Sequence, residues 1–234
     1  TKPLGYAGDY EMVNMMLRDP AEGSTTYAKL VNAFNIKSAP AAAHRNRVDM
    51  LLELLKRETL RMMRNEVPLR VLNIGCGPAV EVQRFVRDEA ISEKCDLNLL
   101  DFNDETIAYT RRRIDDVAQA SGRKMNLKFT HKSVDDLLKE AAGLRPSSQE
   151  TYDYVYCAGL FDYLSARTCK RLLQLFYSWT SPGGLVAATN VHAKNPVRYY
   201  MEHVLEWHLI YRDDAGMAAL APERTEAKVR TDST

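Results

Sequence analysis

The fold class is indicated most clearly by one run of residues, Val71-Leu72-Asn73-Ile74-Gly75-Cys76-Gly77-Pro78-Ala79. The apolar segment Leu69–Ile74 predicts a short buried strand, and helical spacing begins after the turn. Gly75 and Gly77 permit a tight turn and let backbone amides approach a ligand closely. Val80 stands where a dinucleotide motif would have its third glycine, so the turn favours a cofactor with a nucleoside and an amino-acid tail over a pyrophosphate. Generic strand–helix packing is the alternative reading.

Beyond Pro68, short apolar runs alternate with helical patterns. The predicted strands are Leu69–Ile74, Leu97–Asp101, Asn126–Thr130, Tyr152–Ala158 and Gly184–Val191. The predicted helices between and after them are Val80–Asp88, Asp104–Ser121, Val134–Ala142, Ala166–Thr180 and Pro196–Tyr211. This order predicts an α/β fold with a mostly parallel central sheet and helices on both faces. Ligands of such sheets bind at the carboxyl ends of the strands.

The first part of the chain is predicted to be helical. Three helices are expected, at about residues 10–17, 25–33 and 41–65, with Asp9 as the cap of the first. Residues 1–65 are therefore interpreted as an N-terminal helical cap or lid, and residues 66–234 as the sheet-containing core. The loop Gly5-Tyr6-Ala7-Gly8-Asp9-Tyr10 combines glycine hinges with two phenols and an acid. It is interpreted either as a lid over a pocket or as a capping turn with packing tyrosines.

Composition excludes several classes of function. The 32 basic and 31 acidic residues leave a net charge of +1, which gives no basis for nucleic acid as a partner. The four cysteines form no CxxC pair and no zinc-like spacing with histidine, so we expect no metal and reduced thiols in a cytoplasmic protein. No apolar run reaches membrane-spanning length. The expected partners are a small-molecule acceptor and, as an option, a second copy of the chain in a homodimer.

Two further loops add ligand-binding groups to the strand ends. Asp101 ends the second strand about 25 residues after the glycines, a position that suits hydrogen bonds to ribose hydroxyls. A helix-capping role is the alternative for Asp101. After the third strand, Ser133, Val134 and Asp135 are candidates for contacts with an adenine, although Asp135 is equally suited to cap a helix.

The order of these loops resembles class I S-adenosylmethionine-dependent methyltransferases from about residue 45 onward. The resemblance implies a Rossmann-like fold, S-adenosylmethionine as cofactor and S-adenosylhomocysteine as product. It implies that the glycine loop contacts the methionine part and that Asp101 holds the ribose. The residues assigned to the cofactor are Asn73, Gly75, Cys76, Gly77, Asp101, Phe102, Ser133, Val134, Asp135, Ala158, Gly159 and Leu160. Asn73 departs from the usual acid and Pro78 from the usual third glycine, and Asn73 weakens a direct carboxylate–ammonium contact.

Other motifs resemble a narrower group, bacterial methyltransferases that make 3-hydroxy fatty acid methyl esters such as 3-hydroxypalmitic acid methyl ester. These motifs are Lys2-Pro3-Leu4-Gly5-Tyr6-Ala7-Gly8-Asp9-Tyr10-Glu11-Met12, Ala158-Gly159-Leu160-Phe161-Asp162-Tyr163-Leu164, Asn190-Val191 and Glu206-Trp207-His208-Leu209-Ile210-Tyr211-Arg212. The resemblance spans nearly the whole chain. It implies O-methylation of the carboxylate of a hydroxy fatty acid.

A carboxylate acceptor is already ionised at neutral pH and needs a holder, not a base. Arg212, Tyr10 and Tyr163 are the candidate holders. For an amine or hydroxyl acceptor, His192 and Glu206 are the candidate bases. Purely structural roles are the alternatives for Tyr163, His192 and the aromatic segment near Arg212. Two other functions stay open: an O- or N-methyltransferase acting on a polar natural product, and a cofactor-binding module without catalysis.

Overall fold

A computed structural model of the chain describes residues 5, 8–18, 22–144, 150–223, 225–232 and 234. Its centre is a five-stranded sheet in the order β3-β2-β1-β4-β5, and every neighbouring pair is parallel. The strands are β1 Leu69–Ile74, β2 Cys95–Asp101, β3 Asn126–His131, β4 Tyr152–Cys157 and β5 Thr180–Ala188. The predicted parallel α/β fold is confirmed.

Nine α-helices lie within the described residues. Their bounds are α1 Tyr10–Leu17, α2 Thr26–Ile36, α3 Ala39–Met63, α4 Val80–Asp88, α5 Asp104–Ser121, α6 Val134–Ala141, α7 Ala166–Ser178, α8 Arg198–His203 and α9 Asp214–Ala218. Short 3₁₀ helices cover Ala90–Lys94 and Leu160–Tyr163. No helix of the described ranges has the length and apolar character needed to cross a membrane.

The sheet is buried because helices cover both of its faces. All six residues of β4 are buried, which is the pattern of a central parallel strand. Alternate side chains of one strand pack into two different clusters, so that Tyr154 belongs to one and Val155 to the other. This two-sided core holds the strand ends in fixed positions, as a binding site at those ends requires.

The long helix α3 packs into the core as well as reaching toward the amino-terminal helices. Its residues Leu51, Leu52 and Leu55 belong to the same cluster as Val71 of β1. Asp9 caps α1 as predicted, because its side chain accepts a hydrogen bond from the Met12 amide. The division of the chain near residue 65 stays a prediction, although α3 shares one apolar core with the sheet.

The predicted helix Pro196–Tyr211 is wrong over most of its length. The helix α8 ends at His203, and the chain then runs without regular structure to α9. Tertiary contacts override the helical spacing here: the Trp207 amide donates to the Met201 carbonyl, and the Ile210 amide donates to the Asp162 carbonyl. Glu206 turns the chain with a φ of 50°. These bonds draw residues 205–212 onto the end of β4.

Candidate functional site

The candidate site lies at the carboxyl edge of the sheet, between β1 and β4. Strand order runs from β1 toward β3 on one side and from β4 to β5 on the other, so this is the point where the order reverses. Ile74 is in register with Leu100 on one side and with Cys157 on the other. The loops that follow these three strands therefore begin at the same level, and a ligand at this edge meets all of them.

The glycine loop has the geometry that its sequence predicts. Gly75 and Gly77 have φ values of 65° and 51°, which favour glycine. No atom of the described residues lies within 4 Å of the position that a Cβ of Gly77 would occupy, so these residues leave space in front of it. The Cβ position of Gly75 lies 3.9 Å from Leu160 Cβ, which places the loops after β1 and β4 in contact.

Asp101 links the glycine loop to the end of β2. Its Oδ2 accepts from the Gly77 amide at 3.1 Å, and its Oδ1 accepts from the Asn103 amide at 3.1 Å. Burial raises the pKa of the Asp101 carboxyl, while these amide donors lower it. Asn103, not Asp101, caps α5. Each carboxylate oxygen still has a lone pair, so Asp101 can accept hydrogen bonds from two neighbouring hydroxyl groups.

The loop after β3 lies beside Asp101, because the Lys132 amide donates to the Asp101 carbonyl at 2.9 Å. Ser133 caps α6 in a reciprocal capping box with Asp136, so Asp135 is not the cap. Instead Asp135 is exposed and pairs with Lys139 at 2.5 Å. Ser133 and Val134 therefore lie next to Asp101.

Asn73 is buried beneath the glycine loop and contacts a carboxylate that sequence reasoning missed. Its Nδ2 donates to Glu81 Oε1 at 3.2 Å, and the Tyr156 hydroxyl donates to the same oxygen at 2.8 Å. Burial raises the pKa of the Glu81 carboxyl. Glu81, in the first turn of α4, thus places a buried carboxylate directly beside Asn73 at the end of β1.

Arg47 of α3 is a second group that sequence reasoning missed. Its Nη1 lies 3.2 Å from the Cβ position of Gly159, at the end of β4. Among the described residues, the Arg47 guanidinium makes no hydrogen bond or ion pair, and the nearest opposing charges are those of Asp162 and Glu81. A half-buried guanidinium in this setting can bind a carboxylate.

Comparison with known proteins now identifies the fold. Residues 71–184 match the family model described as a methyltransferase domain. The fold is that of a class I methyltransferase. The space in front of Gly77, the acid Asp101 and the guanidinium of Arg47 fit a nucleoside with an amino-acid tail.

Solved structures agree with this assignment of the fold. A protein from Bordetella parapertussis, described as a possible exported protein, matches with a TM-score of 0.68 and 16% identity over 91% of this chain and 70% of its own. Magnesium protoporphyrin IX methyltransferase from Synechocystis PCC 6803, solved with bound SAH, matches with a TM-score of 0.57 and 12% identity over 90% of this chain and 80% of its own. The apo S-adenosylmethionine-dependent methyltransferase SibL matches with a TM-score of 0.51 and 16% identity over 94% of this chain and 63% of its own. A search of curated protein sequences finds no match.

Of the candidate acceptor-side residues in this methyltransferase fold, Tyr163 lies at the end of β4 beside Arg47. Its hydroxyl accepts from Trp207 Nε1 at 2.9 Å. The Cβ position of Gly8 lies only 2.2 Å from that hydroxyl, so Gly8 lies directly against it and a larger residue would displace the end of the Tyr163 side chain. Burial raises the pKa of Tyr163 to about 12, which keeps the phenol protonated and able to donate. Tyr6 and Ala7 of the same loop lie outside the described residues.

Tyr10 lies on the other side of the site, beside α5. Its hydroxyl donates to Glu105 at 3.1 Å, and its ring stacks on Tyr109 with centroids 4.5 Å apart. Because α5 follows Asp101, these contacts place Tyr10 on the Asp101 side of the site. It is not brought together with Tyr163.

His192, Glu206 and Arg212 are not grouped as one catalytic set. His192 Nδ1 accepts from the Lys194 amide at 3.0 Å, and its Nε2 lies 3.6 Å from Asp214 of α9. Glu206 is exposed in the turn after α8. Arg212 is buried, and its guanidinium donates to the carbonyls of Phe161 at 2.8 Å and Leu164 at 2.5 Å, and also to Asn190. Arg212 therefore joins the loop after β4 to the segment after β5.

Asp162 is the remaining acid at this edge. It is buried, and its Oδ1 accepts from the Val191 amide at 2.6 Å. Burial raises the pKa of Asp162 to about 6, while the Val191 amide and the charges of Arg47 and Arg212 lower it. The sequence analysis predicted a role for the neighbouring Tyr163. It did not predict one for Asp162, because an acid in a loop is common and indicates no particular function.

Proposed function

We propose that this protein transfers the methyl group of S-adenosylmethionine to a small-molecule acceptor. The observation that carries the proposal is the convergence of Gly77, Asp101 and Gly159 at the reversal point of the sheet. The bound cofactor supplies a methyl group that its sulfonium already activates. The chain therefore has to hold the cofactor, align an acceptor with the sulfur–methyl bond and exclude water.

In this proposal two charged side chains hold the amino-acid tail of the cofactor. Arg47 binds its carboxylate, and Glu81, supported by Asn73 and Tyr156, faces its ammonium. The Arg47 guanidinium and the buried Glu81 carboxylate lie close enough to interact electrostatically, and their opposite charges match the two charged groups of the tail. Asp101 binds the ribose, and Ser133 and Val134 lie on the adenine side.

The acceptor atom that we propose is a carboxylate oxygen, as in a hydroxy fatty acid. Such an oxygen is already a nucleophile at neutral pH, so the chain need only position it. Tyr163 donates the positioning hydrogen bond, since Tyr10 and Arg212 are engaged elsewhere. Gly8 lies against the Tyr163 hydroxyl and shields one side of it from water. A cytoplasmic location and a homodimer are further parts of the proposal.

A second candidate is methylation of a hydroxyl or amine on a polar small molecule. Asp162 favours it, because a carboxyl with a pKa of about 6 can accept a proton near neutral pH. In this case Asp162, rather than His192 or Glu206, is the base closest to Tyr163. A third candidate is a module that binds the cofactor without turnover.

Transfer of a tritiated methyl group tests these candidates. The protein is incubated with labelled cofactor and 3-hydroxyhexadecanoate, and the organic extract is counted before and after mild alkali. We expect extractable label that alkali releases as methanol, and its loss in Asp101→Ala but not in Asp104→Ala, whose side chain is 86% exposed. Alkali-resistant label on amines or phenols would favour the second candidate. Cofactor binding with no transfer to a broad panel would favour the third.

A further inference from the structure

A cavity of about 90 Å³ lies between the amino-terminal helices and the segment after α8. Five separate parts of the chain supply its walls, among them Met12 of α1, Ile36 of α2, Met201 of α8 and Trp207. These four side chains are between 2% and 8% exposed, so the cavity is set into the protein interior. Its lining is predominantly apolar.

The walls of this cavity are held in place by polar contacts outside it. Arg45 Nη1 donates to the carbonyls of Met16 at 3.1 Å and Ile36 at 2.9 Å, which joins the ends of α1 and α2. His44 lies behind Trp207 with ring centroids 6.1 Å apart. Burial lowers the pKa of His44 to about 3, so this neighbour is uncharged at neutral pH. The cavity therefore presents no charge that an apolar group would have to desolvate.

The cavity is one side chain away from the proposed reaction centre. Trp207 forms a wall of the cavity, and its indole N–H donates to the Tyr163 hydroxyl at 2.9 Å. The helix α3 also spans the two places, since Ala41 lines the cavity and Arg47 lies beside Gly159. Six residues of helix correspond to about 9 Å, which is the span of a short aliphatic chain.

The size and lining of the cavity select among apolar ligands. An apolar cavity of about 150 Å³ is known to hold benzene, so this one is too small for a ring unless its walls move. Methionine side chains are flexible and polarizable and adapt to a thin chain. Met12, Met16 and Met201 all contribute to the lining.

We propose that this cavity binds a short aliphatic segment of the methyl acceptor, with the reacting head group at Tyr163. Binding of an aliphatic chain by the cavity does not depend on the proposed methyl transfer. The identification of that chain as part of the methyl acceptor does rest on it. A molecule with an unbranched alkyl arm and a polar head group can bind at both places. The arm is buried in the apolar cavity, and the head group accepts a hydrogen bond from Tyr163.

Binding of simple alkanols and acids tests the cavity apart from catalysis. Trp207 is one of two tryptophans, so the Trp179→Phe variant makes its fluorescence a reporter of the cavity. The probes are butanol, hexanol and octanol, the matching carboxylates, and benzyl alcohol. Each methylene that enters the cavity should tighten binding about fourfold. Benzyl alcohol should bind more weakly than hexanol.

Cavity-filling variants supply the control. Met16→Phe should abolish the dependence on chain length, and Met201→Phe should do the same if Met16→Phe fails to fold. Met50→Phe, at a position 40% exposed on α3, should keep that dependence. Unchanged SAH binding shows that a variant is folded. Equal affinity for short and long chains, or a chain-length dependence that survives cavity filling, would overturn the proposal. Alkanol binding with no methyl transfer to acids would retain the cavity and remove the carboxylate assignment.

Discussion

The cofactor side of the site and its acceptor side are built from the chain in different ways. On the proposed cofactor side, Asp101 ends β2 and the loops of Gly77 and Ser133 follow β1 and β3. The Gly77 amide donates to the Asp101 carboxylate, and the Lys132 amide donates to the Asp101 carbonyl. On the acceptor side, Tyr163 contacts Gly8 at one end of the chain and Trp207 near the other. The first arrangement depends on local strand-to-loop geometry, whereas the second depends on long-range packing. Substitutions on the two sides should therefore change different properties, namely cofactor affinity on the first and stability or acceptor binding on the second.

The largest effect is expected at Arg212, on the acceptor side. Arg212→Ala removes the charged donor from the carbonyls of Phe161 and Leu164 and from Asn190 and opens a gap beside them, so the free energy of unfolding should fall by about 3 kcal/mol. Urea denaturation measures this change. Arg198→Ala removes a surface i,i+4 pair with Glu202 and a contact with the Tyr211 ring, and its effect should be much smaller. Normal stability with lost turnover in Arg212→Ala would instead indicate direct contact with the acceptor.

Asp101 should give the largest effect on the cofactor side. Asp101→Ala removes the acceptor for ribose hydroxyls and frees the Gly77 amide, so SAH affinity should fall about 100-fold, the loss of two charge-assisted hydrogen bonds. Calorimetric titration with SAH measures it. Asp104→Ala should bind SAH with the affinity of the unmodified protein. Comparable affinity in Asp101→Ala and Asp104→Ala would rule out ribose binding by Asp101.

Asp162 should make stability depend on pH. Its pKa is raised to about 6 in the folded protein, above the ordinary 3.8, so the folded state keeps a proton that the unfolded chain has released. The contribution of Asp162 to stability is present below pH 4 and is lost as pH rises through about 6, by roughly 2 kcal/mol. Asp162→Asn, which keeps an acceptor for Val191, removes this dependence. Urea denaturation of both proteins at pH 4 and pH 7 should show it. Parallel pH profiles would mean that the carboxyl titrates normally.

Gly8 should give the smallest effect of the four. Gly8→Ala combines left-handed strain at φ 79° with a contact 2.2 Å from the Tyr163 hydroxyl, so stability should fall by about 1 to 2 kcal/mol. Gly143→Ala, at φ 70° with nothing within 4 Å, should show only the strain, about 1 kcal/mol. Adding Tyr163→Phe should recover part of the Gly8→Ala loss. If the two alanine variants lose equal stability, residue 8 does not press on Tyr163.

The same division explains what the sequence could predict. Local patterns predict the strands, the glycine turn and the closeness of Gly77 to Asp101. This is because neighbouring residues determine apolar runs and strand ends. Glu81 and Arg47 could not be found, since each lies on a helix where a charge normally indicates a solvent-exposed face. The helix predicted over Pro196–Tyr211 failed because Trp207 and Leu209 are buried against Met12 and Met201. That contact joins residues almost 200 positions apart, and the spacing of apolar residues within one segment cannot predict it.

The most direct test of the cofactor site compares SAH with 5′-methylthioadenosine, which lacks the amino-acid tail. Calorimetric titration of the unmodified protein should show tighter binding of SAH. Arg47→Gln should lower the affinity for SAH about tenfold, because one charge-assisted hydrogen-bonded pair is lost. The affinity for methylthioadenosine should stay within about twofold. Equal weakening of both ligands by Arg47→Gln, or equal affinity for both in the unmodified protein, would contradict the placement of the cofactor tail between Arg47 and Glu81.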